Sequence, residues 1–198
     1  ILDGSGDKAF CAGGDIRALY ESMCSADGPI FAETFFESEY RLDYKLHNFP
    51  KPIISIIDGI VMGGGAGLMF GSSFKISTER TKFAMPEIGV GLFPDVGFTS
   101  VIKDLPEGLG LYIMLTSTQL NAADTLFCNL TDCSLSSEDL EKFFQEIQEI
   151  EWKDMKKDNL KILKSIVHQD GYTNKLNNFP KSKLKDELSN IQSLTNAS

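Results

Sequence analysis

The stretch Ile53-Ile54-Ser55-Ile56-Ile57-Asp58-Gly59-Ile60-Val61, running into Met62-Gly63-Gly64-Gly65-Ala66-Gly67-Leu68-Met69-Phe70, decides the fold. Its first half is a run of β-branched residues, which predicts a strand buried on both faces, because a strand with one wet face would alternate apolar with polar. Its second half sets Gly and Ala ahead of Leu and Met, which predicts a helix whose first turn carries no side chains. The unpaired N–H groups and positive dipole end of that turn would face a ligand. Glycine costs about 1 kcal/mol relative to alanine in a helix interior, so a row of glycines requires a reason. Close helix–strand packing and anion binding both supply one, and binding is the preferred reading.

Upstream, Gly4 to Arg17 is a glycine-rich loop that leads into a predicted helix from Ile16 to Met23. Small residues at Ala12, Gly13 and Gly14 let a ligand approach main-chain donors. The loop has neither the lysine of a phosphate-binding loop nor a GxGxxG after a strand, so alone it specifies no ligand. Pro29 to Leu46 predicts a helix with apolar positions at Phe31, Phe35, Phe36, Tyr40, Leu42 and Leu46. Glu37, Glu39, Arg41, Asp43 and Lys45 alternate with them and read as a solvated surface. Pro50-Lys51-Pro52 then forbids further helix.

Downstream, Phe74–Thr78 and Thr81–Ala84 read as short strands, the second delivering Met85-Pro86-Glu87-Ile88-Gly89-Val90-Gly91-Leu92-Phe93-Pro94-Asp95-Val96-Gly97. Two carboxylates, Glu87 and Asp95, stand there among glycines, prolines and large apolar residues. Such a setting desolvates an acid and alters its proton affinity, although turn roles for both would use the same residues. Helices are predicted at 106–115 and from Asn121, with a short strand after Asn129, and this alternation points to a layered α/β fold. In the last third, Ser136 and Asp139 resemble a capping box. Leu140, Phe143, Phe144, Ile147 and Ile150 then share one helix face, as do Leu160, Leu163 and Val167, and again Leu184, Leu188 and Ile191.

Composition bounds the function. The chain has 198 residues, enough for one domain with a real core, and a formal net charge of −9. An acidic surface repels phosphate backbones and anionic membranes, so neither nucleic acid nor a membrane is an expected partner. Cys11, Cys24, Cys128 and Cys133 read as reduced thiols, and with only His47 and His168 beside them no zinc site is completed. The Asn129-Leu130-Thr131 sequon would matter only in a secreted protein. The opening residues Ile1-Leu2-Asp3-Gly4 read as the end of a buried strand, so the sequence is expected to begin inside a domain.

Taken together and in order, Ala12-Gly13-Gly14-Asp15, Met62-Gly63-Gly64-Gly65 and Met85-Pro86-Glu87 resemble the crotonase (enoyl-CoA hydratase/isomerase) superfamily, which acts on acyl-CoA thioesters. Phe10 to Arg17, Phe35-Phe36 with Glu39-Tyr40, and Gly91 to Gly97 are similar to its 3-hydroxyisobutyryl-CoA hydrolase branch. The resemblance implies a spiral of ββα units with its N-terminal part missing. It further implies a core over 1–135 that carries the site and a shortened helical region over 136–198.

The resemblance also assigns roles. It makes the main-chain N–H groups of Gly14 and Gly64 an oxyanion hole, Glu87 the principal catalytic carboxylate as base or nucleophile, and Asp95 the hydrolase-branch acid. Glu39, Gly64, Glu87 and Asp95 become substrate-binding positions. Hydratases carry a second glutamate at the position of Gly67, and its absence disfavours hydration, which needs acid and base together on one water. Thioester hydrolysis in valine catabolism is the implied reaction, with enoyl-CoA hydration or a non-catalytic subunit as alternatives. No metal or redox cofactor is implied, CoA being part of the substrate. A mitochondrial matrix location and a homo-oligomer follow by resemblance alone. Phe98-Thr99-Ser100 departs from the glycines that usually follow Gly97 in this branch, which bears on the acyl pocket.

Overall fold

The computed structural model describes residues 1–168, 172 and 179–195. Among these residues the strands form two four-stranded sheets. In the first, β1 (Leu2–Asp3), β3 (Ile54–Ile57), β5 (Phe74–Ser77) and β8 (Cys133–Ser134) are all parallel. In the second, β2 (Ala9–Cys11), β4 (Ile60–Met62) and β6 (Lys82–Ala84) are parallel, and β7 (Leu120–Asn121) closes the edge antiparallel to β6. The chain visits one sheet, then the other, then a helix, which is the expected ββα spiral. β1 corrects one expectation, since it is an edge strand with Leu2 only partly buried and Asp3 exposed.

The run from Ile53 to Val61 is two strands, not one. β3 is buried along its whole length, as its composition requires. Ile54 and Ile56 face a core cluster with Phe74, Ile76, Phe143 and Leu163, while Ile57 joins Val61, Met69, Phe83 and Phe98 in another. The chain then steps from the first sheet to the second at Asp58-Gly59, where Gly59 takes a φ of 86°. Asp58 fixes the step by accepting from Thr78 Oγ1 at 2.7 Å and Arg80 Nε at 2.8 Å. A Cβ at Gly59 would strike the Lys8 carbonyl. Gly59→Ala is therefore expected to lower the unfolding free energy by about 2–4 kcal/mol. Urea denaturation would show this as a lower midpoint at an unchanged slope; an unmoved midpoint would contradict the step.

Among the described residues the α-helices are α1 (Ile16–Ser22), α2 (Gly28–His47), α3 (Gly64–Phe70), α4 (Phe98–Val101), α5 (Leu109–Thr116), α6 (Ala122–Phe127), α7 (Leu140–Gln148), α8 (Lys156–Val167) and α9 (Lys183–Thr195). Residues of α7 and α8 cover the outer face of the first sheet, and α9 packs on α5 and α6. Asn121 and Asp124 form the capping box of α6. Asp124 also accepts from the Ser182 hydroxyl at 2.8 Å and the Leu184 N–H at 3.0 Å, fastening the start of α9. The capping box expected at Ser136 does not form. Glu79 instead accepts from the Ser137 N–H at 2.9 Å and from its hydroxyl, and a 3₁₀ turn over Ser137–Asp139 precedes α7. No described helix is long and apolar enough to cross a membrane.

Helix α2 differs from its sequence reading. It buries only Gly28, and Phe31, Tyr40 and Leu42 are exposed. Its contacts run to α1 and α3, so it walls the region above the glycines and does not enter the core.

Candidate active site

Positive φ at Gly63, 53°, turns β4 into α3 and sets Gly64 at the first position of that helix. Gly13, with φ of 97°, folds the 12–14 loop against it. A Cβ at Gly13 would stand 3.3 Å from the Gly64 nitrogen, and one at Gly64 would stand 3.5 Å from the Gly14 nitrogen. Among the described residues neither the Gly14 nor the Gly64 N–H has a main-chain acceptor, and no side chain accepts from either. Two free donors thus share one small space. Of the two reasons the sequence offers for this glycine row, the structure shows the packing one. Gly65 is required for packing, since a Cβ there would enter the Cys11 carbonyl, whereas Gly64 leaves a donor exposed.

Around these donors stand four acids from three segments. Glu87 opens a 3₁₀ turn (Glu87–Val90) and is only 7% exposed, with neither carboxylate oxygen hydrogen-bonded among the described residues. One oxygen lies 3.3 Å from where a Cβ on Gly63 would be. Burial pushes its pKa up, its own main-chain amide offsets this in part, and Asp95 and Glu39 add to the rise. Glu39, on α2, lies over Gly64 so closely that a Cβ there would overlap its carboxylate. Its proton affinity is raised by burial and by Asp95.

Asp95 follows Pro94 and accepts from the Tyr40 hydroxyl at 2.5 Å. Burial and this hydrogen bond hold the Tyr40 phenol well above its ordinary range. The next residue, Val96, is β-branched yet has φ of 41°. Such a conformation is strained and persists only where surrounding structure over-determines it, as at ligand sites. Val96 is buried in the core beside Phe98, which anchors the loop and leaves Asp95 facing outward to Tyr40.

In the sequence the fourth acid, Asp43, reads as a solvated charge, and the structure overturns that. It lies one turn beyond Glu39, on the same face of α2. Its carboxylate is set against α3, where a Cβ on Gly67 would stand 2.7 Å and 2.8 Å from its two oxygens. Both oxygens are buried and neither has a hydrogen-bond partner among the described residues. The available signal was the i, i+4 spacing from Glu39, but only the placement of α2 over α3 gives it meaning.

Asp43 borders two clefts, and Glu39 borders the first of them. One, of about 510 Å³, includes Gly14, Gly64, Phe31, Phe35, Glu39 and Asp43. The other, of about 720 Å³, includes Tyr40, Asp43, Gly67, Asp95, Thr99 and Ser100. The departure at Phe98-Thr99-Ser100 therefore does reach a cleft wall, with Phe98 itself turned into the core. Of the five site residues expected from sequence, Gly14, Glu39 and Gly64 line the first cleft and Asp95 the second, while Glu87 lies buried beside Gly63 and lines neither of these two; Asp43 and Tyr40 join them. Among the described residues no group of three or more His, Cys, Asp or Glu is placed to hold a metal ion.

Comparison with known proteins bears on the family and the fold. The model of the family "Enoyl-CoA hydratase/isomerase" matches residues 1–198. A mitochondrial 3-hydroxyisobutyryl-CoA hydrolase of Danio rerio is 40% identical over 150 residues, covering 76% of this chain and 39% of the relative. The small ribosomal subunit protein mS47 of Neurospora crassa is 38% identical over 153 residues, covering 76% of this chain and 30% of that protein. Among solved structures, an enoyl-CoA hydratase from Rhodobacter sphaeroides superposes with a TM-score of 0.77 at 29% identity, over 96% of this chain and 50% of that one. The chain thus spans half or less of the length of each of these relatives.

Proposed function

The chain belongs to the enoyl-CoA hydratase/isomerase family, a crotonase by fold, and from that premise we propose that it hydrolyses an acyl-CoA thioester, with 3-hydroxyisobutyryl-CoA as substrate. One observation carries the reading: two free main-chain donors, at Gly14 and Gly64, lie close together at the start of α3, and the buried, unpartnered carboxylate of Glu87 stands beside Gly63, the residue before one of them. In the proposed reaction the thioester carbonyl oxygen lies between the donors. Glu87 takes a proton from water as its oxygen bonds to the carbonyl carbon, and the charge that develops on the carbonyl oxygen is stabilised more than in the ground state. Collapse of the adduct breaks the C–S bond, releasing the carboxylic acid and the CoA thiolate, which is protonated from solvent. Asp95, held by Tyr40, orients the water. Glu39 binds the substrate's polar end, and no metal or redox cofactor is invoked. By the names of its relatives we place the protein in mitochondria.

Hydration of a double bond is the nearest competing chemistry, and the structure narrows the sequence argument against it. Residue 67 carries no acid, yet the Asp43 carboxylate stands beside it. A non-catalytic role is favoured by the likeness to a ribosomal subunit protein. Incubation with 3-hydroxyisobutyryl-CoA and a thiol reagent separates the three. Protein-dependent thiol release is expected, with no loss of the double-bond absorbance of crotonyl-CoA. Loss of that absorbance without thiol release would assign a hydratase, and inertness toward both would assign the structural role.

A further inference from the structure

The geometry points to Asp43 as a further specificity-determining residue of this site: as a neutral carboxylic acid it donates, from the place left open by Gly67, a hydrogen bond to an oxygen substituent on the bound acyl chain. This rests on the reading of the site as one for acyl thioesters. Three observations lead to it. The carboxylate fills the space that a side chain at 67 would occupy, so α2 delivers an acid to α3 that α3 does not encode. Both oxygens are buried and unpartnered, a costly arrangement for a polar group unless a ligand completes it. Asp43 also lines both clefts, between the free donors on one side and Asp95, Tyr40, Thr99 and Ser100 on the other.

A cation could also answer a cluster of acids, but no three of the described ones are placed to hold a metal ion. A proton is the alternative that remains. The titratable groups acting with Asp43 are Glu39 and Tyr40 on its own helix and Asp95 on the 91–97 loop, while α3 carries no titratable residue. Burial first, then the charges of Glu39 and Asp95, push the Asp43 pKa up to about 7. His47, one turn further along α2, lines the same cleft.

A donor of this kind discriminates strongly. A buried group built to meet a substrate hydroxyl is left unpaired by an analogue that lacks it. The neutral form falls from about nine-tenths at pH 6 to about one-tenth at pH 8 if the group titrates near 7, so affinity should fall about tenfold over that interval.

The test is calorimetric binding to the Glu87→Gln protein, in which turnover is expected to be slow, with thiol release followed in the same samples. 3-Hydroxyisobutyryl-CoA is expected to bind about tenfold more weakly at pH 8 than at pH 6. Isobutyryl-CoA, which carries the same CoA phosphates but no hydroxyl, should show no such change. Adding Asp43→Asn, a permanent neutral donor, should abolish the pH dependence and keep the affinity. Adding Gly67→Ala, whose methyl displaces the carboxylate without altering it, should abolish the preference for the hydroxylated ligand. The assignment is overturned if both ligands respond to pH alike, or if the dependence survives in Asp43→Asn. Hydroxyl-specific, pH-dependent binding without thiol release in the parent would sink only the proposed reaction. Thiol release with pH-independent binding would sink only Asp43, and failure of both ligands to bind would overturn both.

Discussion

Glu87→Gln is expected to lower thiol release from 3-hydroxyisobutyryl-CoA by about 10²–10⁴-fold, the range for loss of a general base. The loss should fall on kcat and leave KM nearly unchanged, because the amide keeps the size of the side chain and removes only its capacity to take a proton. Equal rates in the two proteins would sink the role assigned to Glu87. A structural explanation of the loss can be separated by stability. The Glu87 carboxyl holds its proton more tightly folded than unfolded, for reasons of burial. The sign follows: at pH above the usual glutamate range the unfolded chain ionises freely while the folded one resists, so this group destabilises progressively as pH rises. The uncharged amide removes that penalty. Glu87→Gln should therefore melt no lower than the parent at pH 8 while being far slower. A variant both slow and unstable would assign Glu87 to the fold.

Gly64→Pro should cost about 3–4 kcal/mol of transition-state stabilisation, or roughly 10²–10³-fold in kcat, by deleting one of the two free donors. Proline suits the first position of a helix, where its missing N–H has no intrahelical partner, so α3 should still form. The control is Gly64→Ala, which retains the N–H but drives a methyl into the Glu39 carboxylate. Glu39 sits at the end of a flexible side chain and can swing aside. Alanine is therefore expected to raise KM more than it lowers kcat, and proline to lower kcat. Identical kinetics in the two variants would mean that crowding at Glu39, and not the lost donor, explains the effect.

The parts of this site that were legible in the sequence are those whose meaning is local. Gly13-Gly14 and Gly63-Gly64 declare backbone that a ligand can approach, and Glu87 and Asp95 lie within one loop of each other. Asp43 was not legible, because a charge on an amphipathic helix looks the same whether it faces water or a glycine on another helix. The break within Ile53–Val61 was hidden for a related reason. Where one strand is buried throughout and the next is apolar on both faces, alternation carries no information, and the Asp58-Gly59 pair was the one punctuation mark. The capping residue before α7 was misread since Glu79, distant in sequence, supplied the acceptor that Ser136 was expected to be.

Two of the four acids reside on a helix of which only one residue, Gly28, is buried. Segments with few buried apolar contacts open with free energies well below that of global unfolding, in cooperative units. The amides of α2 should accordingly exchange with deuterated solvent faster than those of β3, whose every residue is buried. Each opening of α2 would carry Glu39, Tyr40 and Asp43 away from Asp95 and the glycines while both sheets stay intact. The site is thus assembled by an equilibrium of its own. A ligand spanning the two clefts would slow exchange in α2 first, in proportion to how tightly it binds the closed form.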